Sequence, residues 1–343
     1  MEDSSKPNDV QPEQNINELK FDILKIDSRI KKDSQYQEGD ILFQFSPEYK
    51  PESIEECDQK TDYLKYVAKI KTSSFQYLGS LSRNLKKENY GYNRFDNGDE
   101  YFGHWNKDKK EGYGIYYFKE DQNPDAQEIS QLYVGEFKNN MKQGEGIYFN
   151  ISSFSVEEEK NEQEKKIIKK PFNFDLVVGN FVNDVFVNGF IYSMKEGKRK
   201  IYKGKMDKDG KKNDNMGELY EDNNKIFFGV IKDNVMIEGR VIIMKDNKKD
   251  NGYYFMRKGD NLIDGDIDFD YLKWEDKDEI YIKKLEEYNN SFDNGKIQEL
   301  YMNIMDIREK AECGNNFEYI KNINYDTDIK QKLKVQYGKF LYC

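Results

Sequence analysis

Tyr101-Phe-Gly103-His-Trp105, then Gly112-Tyr-Gly114-Ile-Tyr116 across a polar turn, is the stretch that decides how this chain folds. It returns without a gap as Tyr133-Val-Gly135-Glu-Phe137 and Gly144-Glu-Gly146-Ile-Tyr148. Side chains alternate between the two faces of a strand, so Tyr, Gly and the closing aromatic residue of each first half share one face. Glycine at the middle position leaves room for an aromatic ring to lie over the backbone. The turn Asn106-Lys-Asp-Lys-Lys110 reverses the chain, and the G-x-G segment opens a second strand antiparallel to the first. A lone hairpin is marginal in water. A stack of hairpins makes a continuous sheet in which each unit supports the next.

Further copies extend the pattern in both directions. One begins at Tyr77-Leu-Gly79 and leads to Gly91, and the turn signal Phe95-Asp-Asn-Gly98 follows it. Val177-Val-Gly179-Asn-Phe181 leads to Gly189, Tyr202-Lys-Gly204 to Gly217, Phe227-Phe-Gly229 to Gly239, and Tyr253-Tyr-Phe255 to Gly265. The starts at 77, 101, 133, 177, 202, 227 and 253 give about seven repeats over residues 77–265. The copies at 177, 227 and 253 have a single Gly twelve residues after the start in place of the G-x-G pair.

Y-x-G-x-[FW] followed by G-x-G resembles the MORN repeat (membrane occupation and recognition nexus). Tyr101, Gly103, Trp105, Gly112 and Gly114, with Tyr133, Gly135, Phe137, Gly144 and Gly146, carry the resemblance; Tyr77, Gly79, Gly179, Phe181, Tyr202, Gly204 and Gly229 carry it more loosely. It implies a mainly β fold: an elongated twisted antiparallel sheet of successive β-hairpin repeats. A mixed N-terminal segment would precede the sheet and a short helical C-terminal segment would follow it. In function it implies a non-enzymatic scaffold that docks other proteins and needs no cofactor. Similar stand-alone MORN proteins belong to ciliary radial spokes and other cytoskeletal assemblies, so the expected setting is the cytoskeleton, in a cilium or axoneme. The alternative is a peripheral membrane adaptor that binds anionic phosphoinositide lipids through a basic hairpin. MORN repeats also accompany lipid kinases and SET-domain methyltransferases. Each of those needs a separate catalytic domain, and the 78 residues after 265 show neither a kinase motif set nor a cofactor loop.

Composition agrees with strands and turns. Charged residues make up 35% and apolar ones 36%, mean hydropathy is −1.00, and 26 Tyr and 22 Phe supply much of the apolar surface. The net charge of −10 excludes an overall basic nucleic-acid binder. Residues 77–265 hold 32 basic and 32 acidic side chains, which gives no global attraction to an anionic leaflet. Cys57, Cys313 and Cys343 are widely separated and have no metal-like spacing, so a reduced, cytoplasmic compartment is expected. No apolar run approaches the ~18 residues of a membrane span.

Around the array, residues 1–18 read as a disordered tail and 19–76 as a strand and helix segment. Leu19–Ile30 and Ile41–Phe45 read as short strands. Ser53 and Glu56 have capping-box spacing for a helix over about 54–70, with Leu64, Val67 and Ala68 inward. The charged insertion 151–173 reads as a solvated loop or short exposed helix. In 266–343, Ile297, Leu300, Tyr301, Ile304 and Ala311 recur at helical spacing ahead of Gly314, and Ile329, Leu333 and Tyr337 ahead of Gly338. Helices there are expected to cover the open edge of the last hairpin.

Four features look chemical. His104 is the sole histidine, too few for a triad or a His-based metal site, and reads as a surface strand residue. Asp264, Asp266, Asp268, Asp270 and Glu275 have EF-hand spacing, but Phe269 stands where that loop needs Gly, so they read as the polar face of a strand. The G-x-G pairs sit on hairpins and not before a helix, which excludes a dinucleotide fingerprint. Lys195–Lys212 holds nine basic and three acidic residues. Lys198, Arg199, Lys203 and Lys205 within it are the candidates for an anionic partner, against the plainer reading of a solvated hairpin.

Overall fold

The computed structural model describes residues 41–45, 66–82, 84–119, 130–160, 165–221, 225–243, 252–256, 272–273, 283 and 293–312. Over these the chain forms one open antiparallel sheet of sixteen strands, each paired with its neighbours in sequence. They are β1 (Ile41–Phe45), β2 (Tyr66–Lys71), β3 (Phe75–Leu81), β4 (Lys87–Phe95), β5 (Glu100–Asn106), β6 (Lys109–Phe118), β7 (Gln131–Lys138) and β8 (Met141–Lys160), then β9 (Lys165–Val182), β10 (Val185–Lys195), β11 (Lys198–Lys205), β12 (Asp214–Glu221), β13 (Lys225–Lys232), β14 (Val235–Ile243), β15 (Gly252–Met256) and β16 (Leu272–Lys273). A single helix of any length, α1 (Asn294–Glu312), lies among the described residues. The mainly β array expected from the repeats is the architecture found.

A row of glycines fixes the register. Gly79 pairs with Gly91, and the pairing runs on through Gly103, Gly114, Gly135, Gly146, Gly179, Gly189 and Gly204, one glycine per strand from β3 to β11. Gly217, Gly229 and Gly239 form a second run across β12 to β14. At Gly103 an added Cβ would sit 2.5 Å from the Cα of Gly114, so the strands approach too closely here for any side chain. The row divides the sheet into two faces. Tyr101, Gly103 and Trp105 point to one, here called the glycine face. Phe102, Ile115, Val134 and Ile147 point to the other, and both sets are buried.

The helix covers the second face. Asp293 caps it, its Oδ1 accepting the Lys296 N–H at 3.1 Å. Ile297, Leu300, Tyr301 and Ile304 are buried in one cluster with Tyr117, Phe149 and Phe174. Gln298 donates to the Pro171 carbonyl at 2.9 Å, and Tyr117 donates its hydroxyl proton to the Ile304 carbonyl at 3.0 Å. Arg308 grips Glu100 with two bonds of 2.8 and 2.7 Å, and the Glu100 side chain is 1% exposed. The apolar spacing from Ile297 to Ile304 is therefore the packed stripe. The helix lies on the middle of the sheet, however, and not along the edge of the last hairpin. The large apolar surface lies on that face, and burial drives docking more strongly than covering an edge does.

Two other expectations change. Residues 151–160 and 165–173 are strand, not loop or helix: β8 and β9 run on as one long ribbon from Gly144↔Phe181 to Lys160↔Lys165. Its charges ride on a backbone ladder that satisfies itself, and Ile167 and Ile168 favour strand. Its base carries Phe154 and Phe174, against which Tyr301 and Tyr192 pack. Residues 66–71 are β2, paired with β1 and β3, so the helical expectation fails there; tertiary pairing overrides the capping-box signal. The strand expected at Ile41–Phe45 is present as β1. Residues 1–40, the rest of the expected 54–70 helix, Gly314 and the stripe from Ile329 to Gly338 lie outside the described residues.

Candidate docking face

Each strong repeat builds the same small structure on the glycine face. The ring of Tyr101 lies over Gly103 of its own strand and Gly114 of the next. A Cβ at Gly114 would fall 2.5 to 2.7 Å from three of its atoms. Tyr77 lies likewise over Gly79 and Gly91, and Tyr133 over Gly135 and Gly146. The ring is thus the repeat's own tyrosine, two residues back. Its hydroxyl then donates to the carbonyl three residues on: Tyr77 to Ser80 at 2.7 Å, Tyr101 to His104 at 2.9 Å, Tyr133 to Glu136 at 3.1 Å and Tyr202 to Lys205 at 2.7 Å. Burial raises the Tyr101 and Tyr133 phenols well above their usual range.

The two glycines of G-x-G serve different ends. Gly114 and Gly146 make space for the ring. Gly112 and Gly144 have φ of +70° and +64°, where three residues of one strand face one of the other. A Cβ at Gly112 would meet only His104, at 3.5 Å, so backbone conformation and not crowding requires glycine there. The repeats at 177 and 227 have one residue fewer in this bulge, Val187 and Ile237, and dispense with the left-handed glycine. In the first of them Phe186 reaches over Gly179 in place of a tyrosine.

Closing aromatics knit the repeats together. Tyr77, Trp105, Tyr101, Phe137, Tyr133 and Phe181 follow one another edge to face, with centroids 5.9, 5.0, 5.2, 5.1 and 5.1 Å apart and interplanar angles of 79° to 90°. Such pairs add about 0.5–1.5 kcal/mol each beyond their burial. The Trp105 indole also donates to the Gly91 carbonyl at 3.1 Å.

A lysine lies on the rings of each of these repeats, and sequence reasoning missed it. The Lys87 ammonium is 4.0 Å from the centroid of Phe75 and 4.7 Å from that of Trp105. Lys110 stands 4.1 Å from Tyr116 and 5.5 to 5.9 Å from Phe137, Tyr101 and Phe95. Lys142 stands 4.9 to 5.6 Å from Tyr148, Phe118 and Tyr133, and Lys212 stands 5.1 Å from Tyr202. Burial among the rings pulls Lys87 and Lys110 down to about 8, with Asp108 opposing it at Lys87 and Asp184 and Asp99 at Lys110. Lys142 and Lys212 move the same way for the same reason. The signal was present as K-x-G-x-G, at Lys110-Glu-Gly112 and Lys142-Gln-Gly144.

Each such lysine is clasped by the turn of the following repeat. Asp108 Oδ1 accepts the Lys87 N–H at 2.7 Å while the Asp108 N–H donates to the Lys87 carbonyl at 3.0 Å. Asn140 holds Lys110, Asp184 holds Lys142 and Asn234 holds Lys212 in the same two-point way. These residues are the second of a left-handed doublet: Lys107-Asp108, Asn139-Asn140, Asn183-Asp184 and Asp233-Asn234 have φ between 50° and 73°. That is the type I′ turn of two-residue hairpins.

Of the remaining candidates, His104 is half-buried with its ring edge-on to Tyr90 at 5.4 Å. The basic hairpin is divided between faces. Arg199, Lys203 and Lys205 alternate with the buried Tyr202 and share the side of Ile201, and Lys203 lies over Phe190 at 5.5 Å. Lys198 falls on the other side. Asp264–Glu275 lies outside the described residues apart from the short strand Leu272–Lys273. No group of His, Cys, Asp and Glu suited to a metal occurs among the described residues, and no helix there is long and apolar enough to cross a membrane.

A sheet of successive hairpins, self-covered by rings on one face and by a helix on the other, defines a β-hairpin repeat protein. The MORN repeat family model matches residues 101–120 and 133–150, the two units whose geometry is most regular, so the chain carries MORN repeats there. MORN repeats are a non-catalytic module that mediates interaction with proteins or membrane lipids. No curated protein matches the chain.

Proposed function

We propose that this chain is a non-enzymatic scaffold that docks other proteins within a cytoskeletal assembly, in a cilium or axoneme. The observation that carries the reading is the continuity of the glycine face. Ring contacts, turn clasps and the paired glycines run from β3 to β9. They hold successive repeats in one register and present equivalent groups at regular intervals, which suits a fixed partner of extended shape. The scaffold reading is favoured over the lipid adaptor because Lys198 is on the opposite side of the sheet from Arg199, Lys203 and Lys205, so a leaflet cannot meet all four. The ciliary setting rests on the family resemblance. Fractionation tests it: a tagged protein retained on detergent-extracted axonemes or cortical cytoskeleton supports the reading, and one recovered wholly as a free soluble monomer refutes it.

A further inference from the structure

The lysines on the glycine face are not equivalent. Lys87 is 8% exposed and donates to Asn93 Oδ1, so its charge is answered inside the protein. Lys110 and Lys142 keep partial exposure. Among the described residues their ammonium groups have no carboxylate within ion-pair distance and no hydrogen-bond acceptor. The carboxylates nearest in effect are committed elsewhere. Asp184 accepts the Lys142 backbone N–H, and Asp99 accepts from Tyr116, Lys119 and Asn97. Two cations are therefore held on aromatic rings, partly stripped of water and short of an anion. Leaving a charge in that condition is unfavourable unless something completes it.

Their spacing says what completes them. Each lysine stands four residues before the glycine of its strand in the paired row, Gly114 or Gly146, and the two strands are separated only by β7. Two strand spacings are about 9.5 Å. A polyproline II segment advances about 9.3 Å every three residues and returns its side chains to the same side. Lys110 lies on Tyr116 and Lys142 on Phe118, and these two half-buried rings, with centroids 4.6 Å apart, make the sort of ring-lined surface on which such a helix packs.

We propose that the glycine face binds an extended acidic protein segment in the polyproline II conformation, with acidic side chains three residues apart on Lys110 and Lys142. This rests on the docking-scaffold reading and names the chemistry of the partner. The probe is a fluorescent peptide of repeated Glu-Pro-Pro units, titrated by anisotropy against the full chain. Gln-Pro-Pro peptide and vesicles containing phosphoinositide serve as comparisons. The Glu-Pro-Pro peptide is expected to bind and to weaken with salt. The pair K110M/K142M, which keeps the stems on the rings, should reduce its affinity by about tenfold or more. Lys198→Glu should leave it standing. Binding near pH 8.5 should take up protons, since a carboxylate on Lys110 holds that amine charged. Unchanged melting of K110M/K142M separates lost binding from lost folding. Equal binding of the glutamine peptide, indifference to K110M/K142M, or vesicle binding that alone needs these lysines would each overturn the proposal. If the peptide fails while partner proteins still copurify with the full chain, this inference falls and the scaffold reading survives.

Discussion

Replacing Gly114 with alanine adds one methyl group and should unseat a whole repeat. The new Cβ would lie 2.5 Å from the Tyr101 hydroxyl oxygen, 2.6 Å from Cε2 and 2.7 Å from Cζ, closer than real side-chain contacts. The ring cannot slide along the sheet, because Trp105 and Phe137 stand edge-on to it at 5.0 and 5.2 Å. It must leave. The hydroxyl bond to the His104 carbonyl goes with it, worth about 1 kcal/mol. Two aromatic contacts of about 0.5–1.5 kcal/mol each are lost as well, together with the burial of a ring that is fully covered. The total is about 3–5 kcal/mol, in the range for losing a large core side chain. Gly112→Ala is the internal control. Its Cβ would touch only His104, at an ordinary 3.5 Å, and it carries only a left-handed backbone at about 1–2 kcal/mol. Urea unfolding followed by tryptophan fluorescence compares the two, and Gly114→Ala should cost much less in a Tyr101→Ala background. A Gly112→Ala variant less stable than Gly114→Ala, or a full penalty in the absence of the ring, would refute the account of the two glycines.

Three further outcomes follow from the same geometry. Lys107→Asn places at a left-handed turn position the residue type found at Asn139, and should raise stability by about 1 kcal/mol in the same urea assay. Stability should rise with pH from about 8 towards 10, because the unfolded chain keeps lysine protons that Lys87 and Lys110 have released. Above about 10 it should fall, as unfolded tyrosines lose protons that Tyr101 and Tyr133 retain; a urea midpoint that is flat or falling between pH 7 and 9.5 contradicts this. Arg308→Met leaves Glu100 buried and uncompensated and should cost about 3–5 kcal/mol, seen as lost hydrogen-exchange protection in the helix, whereas adding Glu100→Met should restore most of it.

The glycine face was largely legible in the sequence, because period-two spacing around a mandatory glycine leaves few alternatives for Tyr101, Gly103 and Trp105. The second face was half legible. The residue between Tyr and Gly is itself apolar at Phe102, Val134, Val178 and Phe228, a sign of strands buried on both sides, but the sequence does not say what covers them. The Arg308–Glu100 pair joins positions 208 residues apart, and no local pattern announces such a contact. The ribbon at 151–173 was hidden by its charges, since a run such as Glu157–Lys160 looks the same on a solvated strand as on a loop. The lysines were overlooked because an abundant residue on a hairpin reads as solvated; only the four-residue interval from Lys87, Lys110 and Lys142 to the paired glycines distinguishes them.

The two-point hold of each turn doublet on the preceding lysine decides where such a gene can grow. The doublets all lie along one margin of the sheet. The strand ends that lead from one repeat to the next, among them Phe118 and Gln131 and the far end of the β8–β9 ribbon, all lie along the opposite margin. Lengthening a connection on that second margin disturbs no hold, so inserted codons are absorbed there. Lengthening a doublet on the first margin breaks one. The array contains a natural instance: the turn Asp207–Lys211 is long, Asp207 organises it internally by accepting the Asp209 and Lys211 N–H groups at 2.9 Å each, and the preceding repeat has Phe186 where a lysine would have been held. The heritable module therefore runs from one lysine to the next doublet, out of phase with the Tyr-to-Tyr unit that the eye picks out. A duplication cut on that phase adds a repeat that fits at both ends.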